Sequence, residues 1–272
     1  PYPGYAFIRF IVQQQDFSGG MCELAADVYG LEMGGAAMQR NFATVIGHFL
    51  SNTTWGLSDS INIASFAAGA TALDAITDLY CDGAVTNQQQ ARDILNELLS
   101  PARATVERNA DGEWEIEIDG TGASVLSLGD NDGYYNNAEI GDVSITPSNE
   151  ALKTAIVQYS LNPLDEDMPF EESSISVHTN FGVIRTYSLP FVLEDVTATK
   201  VLTYLKNRSL YSDRRVPVSV GMEGRDLSRG EVVTLTKASR GLSASEFKIE
   251  QITKGGIGFE MNCREYNASI YD

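Results

Sequence analysis

The sequence has little with which to do chemistry at neutral pH. Its 272 residues include two histidines, His48 and His178, and three cysteines, Cys22, Cys81 and Cys263. Histidine is the one side chain that ordinarily titrates between pH 5 and 8, so imidazole catalysis has only those two candidates. His48 sits beside the apolar face of a helical pattern and His178 ends a strand pattern. Neither stands in a GxSxG, HExxH or papain-like cysteine context, and both read as core or surface residues. The cysteines are far apart, with no CxxC and no Cys/His cluster. That spacing argues against a zinc site and a disulfide framework, and reads as buried free thiols in a chain matured in a reducing compartment. Basic charge is also scarce: 19 Lys and Arg stand against 37 Asp and Glu, a formal charge of −18. Phosphate recognition works through Lys and Arg, so this balance argues against a nucleic-acid reader and against docking on an anionic membrane. No apolar run reaches the about 18 residues a membrane helix needs; residues 61–72 come nearest and are too short and too polar. Glycine is plentiful at 24 residues, yet no GxGxxG or Walker pattern occurs.

What is there suits a globular chain: 43% hydrophobic and 21% charged residues, over a length of about two domains at roughly 150 residues each. Pro1 leads almost directly into a strand pattern ending at Val12, and the sequence stops at Tyr271-Asp272, so a fragment of a longer polypeptide is expected. Asn52, Asn207 and Asn267 match the glycosylation sequon at a frequency chance would supply. Residues 1–35 read as two strands joined at Ser18-Gly19-Gly20. Phe42, Val45, Ile46, Phe49 and Leu50 then fall at helical spacing. Residues 64–79 read as a second helix, and Ala91, Ile94, Leu95, Leu98 and Leu99 as a third that Pro101 follows. Residues 82–85 suggest a turn and short strand. Alternation on either side of Asp111-Gly112 predicts a hairpin over 105–118, with 124–128 and 152–159 as further partner strands. Residues 162–172 read as an acidic solvated loop and 197–210 as a helix. Strands are expected at 216–222, 231–236, 246–252 and 258–265, forming a small antiparallel barrel or sandwich. The division that follows is 1–35 as strands of a β-domain, 36–120 as a helical and hairpin insertion, 121–212 as a β-rich domain with one helix, and 213–272 as a small barrel. The fold class is α+β, mostly β.

Three acidic groups invite chemistry. Glu115, Glu117 and Asp119 repeat at period two and share one strand face. Paired carboxylates can cleave glycosides when one has a raised pKa, but three acids on a strand read better as its wet face, with Trp114, Ile116 and Ile118 inward. Asp130-Asn131-Asp132-Gly133 resembles the start of a calcium loop, yet the sixth and twelfth positions hold Tyr135 and Gly141 where an EF-hand needs Gly and Glu. A looser oxygen-only cation site there, or in the acid run from Asp165 to Glu172, stays open. No catalytic, cofactor-binding or metal-ligating residue is assigned.

The order of motifs resembles a known family. Tyr2-Pro3-Gly4-Tyr5-Ala6-Phe7-Ile8-Arg9-Phe10, followed by Val28-Tyr29-Gly30-Leu31-Glu32-Met33, is similar to a paired-strand segment of phage tail-tip proteins: the central host-specificity proteins (protein J) of lambda-like siphophages and their relatives in prophages and gene transfer agents. Phe49-Leu50-Ser51-Asn52-Thr53-Thr54-Trp55-Gly56-Leu57 resembles that family's helix end, and Ile61-Asn62-Ile63-Ala64-Ser65-Phe66-Ala67-Ala68 its next helix. Asn109-Ala110-Asp111-Gly112-Glu113-Trp114 stands where the family has a hairpin. Gly224-Arg225-Asp226-Leu227 with Arg229-Gly230-Glu231-Val232-Val233 resembles its barrel turn, with Glu231 where the family often has Asp. Glu265-Tyr266-Asn267-Ala268-Ser269-Ile270-Tyr271-Asp272 resembles the segment preceding its fibre-bearing region. Residues 130–190 match only loosely.

The resemblance implies a baseplate-hub architecture of tail-tube-like antiparallel β-barrels with a helical insertion, assembled as a homotrimer in the virion tail tip after synthesis in the bacterial host cytoplasm. It implies a structural, non-enzymatic role, linking tail tube to receptor-binding fibres and lining or closing a channel through which DNA passes without specific binding. Distal tail proteins, tape-measure proteins and tail fibres would be its partners, with no cofactor and no membrane span. Two other classes compete: a receptor- or carbohydrate-binding module, and a cell-wall or glycan-cleaving enzyme using the acidic pairs. Against the first, the 11 Phe, 12 Tyr and 2 Trp are spread along the chain instead of clustered.

Overall fold

Asn41 and Asn62 each place a side-chain oxygen at the start of a helix, where the first backbone N–H groups lack partners. In the computed structural model, which describes residues 39–54, 56–83, 85, 89–129, 137–160, 170–255 and 258–272, both act as caps. Asn41 accepts from the N–H groups of Ala43 and Thr44 and opens α1 (Phe42–Ser51); Asn62 accepts from those of Ala64 and Ser65 and opens α2 (Ile63–Asp74). Phe42, Ile46, Phe49 and Leu50 are buried, as their spacing predicts. The strands expected over 1–35, Cys22, the Asp130-Asp132 group and the acids from Asp165 to Asp167 lie outside the described residues.

Two helix ends differ from expectation. α2 stops at Asp74 instead of running to Leu79, because the chain reverses at Asp78 (φ 63°) and carries Leu79 and Cys81 into the core. α3 (Ala91–Ala102) includes Pro101 instead of ending before it. In the last turn a missing N–H forfeits a single helical bond, and Arg103 in left-handed conformation (φ 53°) ends the helix two residues on. Residues 82–83, expected as a turn and strand, form irregular chain tied by the Asp82 N–H to the Phe191 carbonyl.

β1 (Ala104–Arg108) and β2 (Trp114–Ile118) form the expected hairpin in register Ala104↔Ile118, with Gly112 at φ 80° in the turn. It stays two-stranded; 124–128 and 152–159 pair elsewhere. The outer edge of β2 is already occupied. The Ser60 carbonyl accepts from the Trp114 N–H, the Trp114 carbonyl accepts from the Asn62 N–H, and the Ser65 hydroxyl both accepts from the Ile116 N–H and donates to the Ile116 carbonyl.

The remaining strands are β3 (Ser124–Gly129), β4 (Ala138–Ile140), β5 (Ser144–Ile145), β6 (Leu152–Ser160), β7 (Phe170–Ser176), β8 (Val183–Leu189), β9 (Arg214–Val220), β10 (Val232–Lys237), β11 (Leu242–Lys254) and β12 (Phe259–Glu265), with α4 (Asp195–Tyr211) between β8 and β9. Glu171 and Glu172 therefore lie in a strand and not in the expected solvated loop. β7, β6 and β8 make a three-stranded sheet in which β6–β8 is parallel. Its inward residues Ala155, Val157 and Tyr159 share a core with Ala198, Val201 and Leu202 of α4 and with the three N-terminal helices.

The larger sheet runs β3-β10-β11-β12-β9-β4, with β5 also on β9. It takes strands from both sides of residue 213. All pairs are antiparallel except β3–β10. Leu128, Ile140, Val218, Leu235, Phe247, Ile249 and Met261 line its concave core. Strand twist curls it, and a bulge between Ile249 and Gln251 adds bend to the 13-residue β11. The sheet closes on itself far enough for one side chain to join its edges. Asn137 accepts from the Gly129 N–H at 2.8 Å and donates to the Ser127 carbonyl at 3.1 Å, so its amide replaces a ladder bond between the β3 and β4 ends. The result is an α+β, mostly β fold with a curled half-barrel, as the sequence leads one to expect. Replacing Asn137 with Ala should cost about 1–2 kcal/mol through these two bonds; urea unfolding with an unchanged midpoint would show that the edges are held by other means.

Candidate functional site

β2 ends at Ile118, and the next residue projects beyond the hairpin. Asp119 meets four groups, from β11, β12, α4 and the C-terminal segment. Its Oδ1 accepts from Lys248 Nζ at 2.6 Å and from the Tyr271 hydroxyl at 2.6 Å, and its Oδ2 from the Tyr204 hydroxyl at 2.5 Å and Arg264 Nη2 at 3.4 Å. Lys248 and Arg264 are 6% and 4% exposed and stand directly opposite each other on β11 and β12. Two like charges so placed repel unless an anion lies between them, and Asp119 is that anion. Burial alone would raise its carboxyl, but the Lys248 ammonium and the hydrogen bonds from Lys248, Tyr204 and Tyr271 outweigh this and hold it well below the usual carboxylate range. Burial and the Asp119 charge push the Tyr204 hydroxyl up to about 12.

The acidic face of the hairpin is thus not its wet face. Glu115 accepts from Asn62 at 2.7 Å and Asn109 at 2.9 Å. Glu117 is half-buried 3.9 Å from Arg229; burial raises its carboxyl, and Arg229 and Lys248 pull the other way. Gly230 (φ 83°) packs so tightly on Glu117 that a Cβ there would overlap the carboxylate. Asp119, ionised and taking four donors, has no proton to give and no lone pair left for a water. Glu117 and Asp119 join the hairpin to the curled sheet, and Glu115 ties it to the start of α2.

Other sequence candidates fall apart in space. His48 sits in α1 with its ring 3.3 Å from the Asn52 amide, and burial lowers its pKa. His178 stacks on Phe181 with centroids 4.4 Å apart. Cys81 and Cys263 are buried in different cores, and burial pushes both thiols up to about 12, so neither is a thiolate at neutral pH. Among the described residues no group of three or more His, Cys, Asp or Glu is placed to hold a metal ion, and none of the helices is long and apolar enough to cross a membrane.

Periodicity did not single out Lys248, Arg264, Tyr204 or Tyr271. A signal was present for one of them: Lys248 lies between Phe247 and Ile249, a cation flanked by two large apolar residues, whereas Arg264, between Cys263 and Glu265, has no such context. The C-terminal segment supplies anchors, since Tyr271 reaches Asp119 and the Tyr266 hydroxyl accepts from the Gly122 N–H at 3.0 Å.

Asp119 lies in the wall of a cleft of about 1310 Å³ bordered by the end of α3, by α4 and β8, and by β9, β11 and β12. Arg103, Arg208, Lys248 and Arg264 line it with Asp119 and Glu250. The β11 bulge lets Glu250 face Arg264 at 2.9 Å, and Arg208 and Arg215 at 3.5 Å each. The Arg103 guanidinium lies over the Tyr204 ring, 4.3 Å from its centroid.

No protein-family model and no curated protein matches the sequence. Solved structures do. A chain of the virion of a native gene transfer agent particle is similar over 89% of this chain and 55% of its own length, with a TM-score of 0.55 and 16% identity. A tail protein from Neisseria meningitidis MC58 is similar over 69% of this chain and 58% of its own (TM-score 0.48, 11% identity). The 43 kDa tail protein of prophage MuSo2 from Shewanella oneidensis is similar over 69% and 56% (TM-score 0.43, 12% identity). This chain therefore spans little more than half the length of those it matches. At such identities the likeness is one of fold, and the first of the three carries it.

Asp119→Ala should destabilise the protein by about 3–5 kcal/mol, because it strands two buried cations. Asp119→Asn tests the charge. A carboxyl depressed in the folded state stabilises above its unfolded pKa of about 3.9, and that contribution is lost as pH falls through the lower folded value. Urea midpoints measured between pH 6 and 2 should fall more steeply for the parent than for Asp119→Asn; parallel curves would refute the assignment.

Proposed function

We propose that this chain is a structural module of a phage or phage-like tail, of the hub type found at the tail tip, that links the tail tube to receptor-binding fibres. The observation that carries this reading is the likeness in fold to a chain of the gene transfer agent virion over 89% of the present chain. The motif order seen in the sequence points the same way. The construction is also suited to load: a hairpin locked to a curled sheet through a buried ion cluster is a rigid joint. No catalytic residue is assigned, and the glycan-cleaving alternative loses its footing because Glu115 and Asp119 are committed to structural hydrogen bonds.

In this role the working unit is a homotrimer, with distal tail and tape-measure proteins on one side and tail fibres on the other. A closed three-fold ring needs two different complementary patches on each subunit. Light scattering over a range of concentrations should show a weak monomer–trimer equilibrium; a tight two-fold dimer would overturn the hub assignment.

The channel role makes a separate demand. Three subunits of charge −18 surround a passing polyanion, and repulsion keeps DNA from sticking only where acids lie within about 8 Å of the channel wall at physiological salt. Asp and Glu should therefore outnumber Lys and Arg on the surface that lines the axis. Filter binding with double-stranded DNA at low salt should give no retention. Micromolar binding that weakens steeply with added salt would expose a basic axial surface and sink the channel role.

A further inference from the structure

The cations of this acidic chain are not evenly spread. Seven of its 19 Lys and Arg line the cleft beside Asp119, with only five of its 37 Asp and Glu. The imbalance is sharpest at the inner wall. There Lys248, Arg264, Arg103 and Arg208 face two carboxylates, Asp119 and Glu250. Asp119 already takes four donors. Glu250 is divided between Arg208, Arg215 and Arg264. Three guanidinium nitrogens, Arg103 Nε, Arg264 Nε and Arg264 Nη1, are buried with no hydrogen-bond partner, and of these only Arg264 Nε has a carboxylate beside it, Glu250 at 2.9 Å. An unmet guanidinium donor in a buried position is destabilising, and uncompensated buried charge is more so.

We propose that this cleft is a binding site for a small ligand carrying two negative oxyanion charges, either a dicarboxylate or a phosphate group. Two excess cations match a dianion, and the guanidinium fork is the donor geometry that carboxylate and phosphate accept best. The cleft is too large for a lone ion, and the stacked rings of His178 and Phe181 also line it, offering a flat apolar surface to the rest of the ligand. Burial lowers the Arg103 pKa, an unfavourable state that a bound anion relieves. At physiological salt the field of distant surface acids is screened within about 8 Å, so the overall charge of −18 does not prevent local capture of a small anion. The inference stands whether or not the chain serves in a tail.

Isothermal titration calorimetry with succinate and, separately, with inorganic phosphate, at constant ionic strength set by sodium chloride, is the direct test. Saturable one-to-one binding of either is expected; succinate alone would identify carboxylate as the recognised chemistry, and phosphate alone would identify phosphate. Arg208→Gln, a half-buried position that should tolerate the change, should weaken binding about tenfold or more. Arg225→Gln lies outside the cleft on an exposed turn and should leave affinity unchanged. Because Arg264 variants can fail to fold, the unmodified protein supplies the second readout: the Arg103 and Arg264 side-chain N–H resonances should shift on saturation. No saturable binding of either anion up to about 10 mM, far weaker than a two-charge site should give, would overturn the proposal. So would binding that Arg208→Gln leaves unaltered, or saturation that moves neither resonance.

Discussion

The joint at Asp119 is the constraint to which the other elements answer. The hairpin, all four helices and the three-stranded sheet build one core, and the curled sheet builds another. What ties them is one carboxylate beyond β2 that reaches two cations on β11 and β12, a tyrosine on α4 and Tyr271, next to the last residue of the sequence. Such a cluster is a poor source of net stability, since desolvating the charges consumes most of what their attraction returns. Its effect is on geometry. Lys248 and Arg264 repel unless the carboxylate sits between them, so the hairpin has one seat, and sliding it by a residue would expose two buried like charges.

The neighbouring contacts enforce the same seat. Gly230 turns with positive φ under Glu117, and the Glu117 carboxylate fills the space a side chain would take. The end of the hairpin is held again by the Asp119 N–H on the Arg103 carbonyl at 2.7 Å, at the residue whose left-handed backbone ends α3. Helix end, hairpin end and barrel turn are therefore fixed within a few residues of each other. In the sheet itself, the Asn137 amide does for the edges what Asp119 does for the modules: one polar side chain closes a gap that backbone pairing leaves open.

Local order was legible where it rests on local pattern. Helical spacing placed α1, and period-two alternation around Asp111-Gly112 placed the hairpin with its turn. The four C-terminal strands followed from the same alternation. Non-local pairing was not legible. Nothing near residue 124 says that it will pair in parallel with β10 about 110 residues later, and nothing near 118 says that Ser60 and Ser65 will already occupy the edge of β2. The acidic face was misjudged for a related reason. Alternation tells which residues share a face, but what covers that face is decided by residues 248, 264 and 271. Pro101 misled because proline marks helix ends statistically, whereas in a last turn it removes only one bond.

The distribution of charge joins these points. A chain with nearly twice as many acids as bases can place its acids outward at little cost, since water solvates them and their repulsion is screened. Its few cations are the scarce resource, and several are drawn to one wall of one cleft. There they neutralise the two carboxylates that fix the joint and still leave donors unmet. Apolar packing alone would not need that arrangement, because replacing such clusters with well-packed hydrophobic side chains is often neutral or stabilising. Its excess over the needs of the joint is what separates a purely mechanical cluster from one that also holds a further anion.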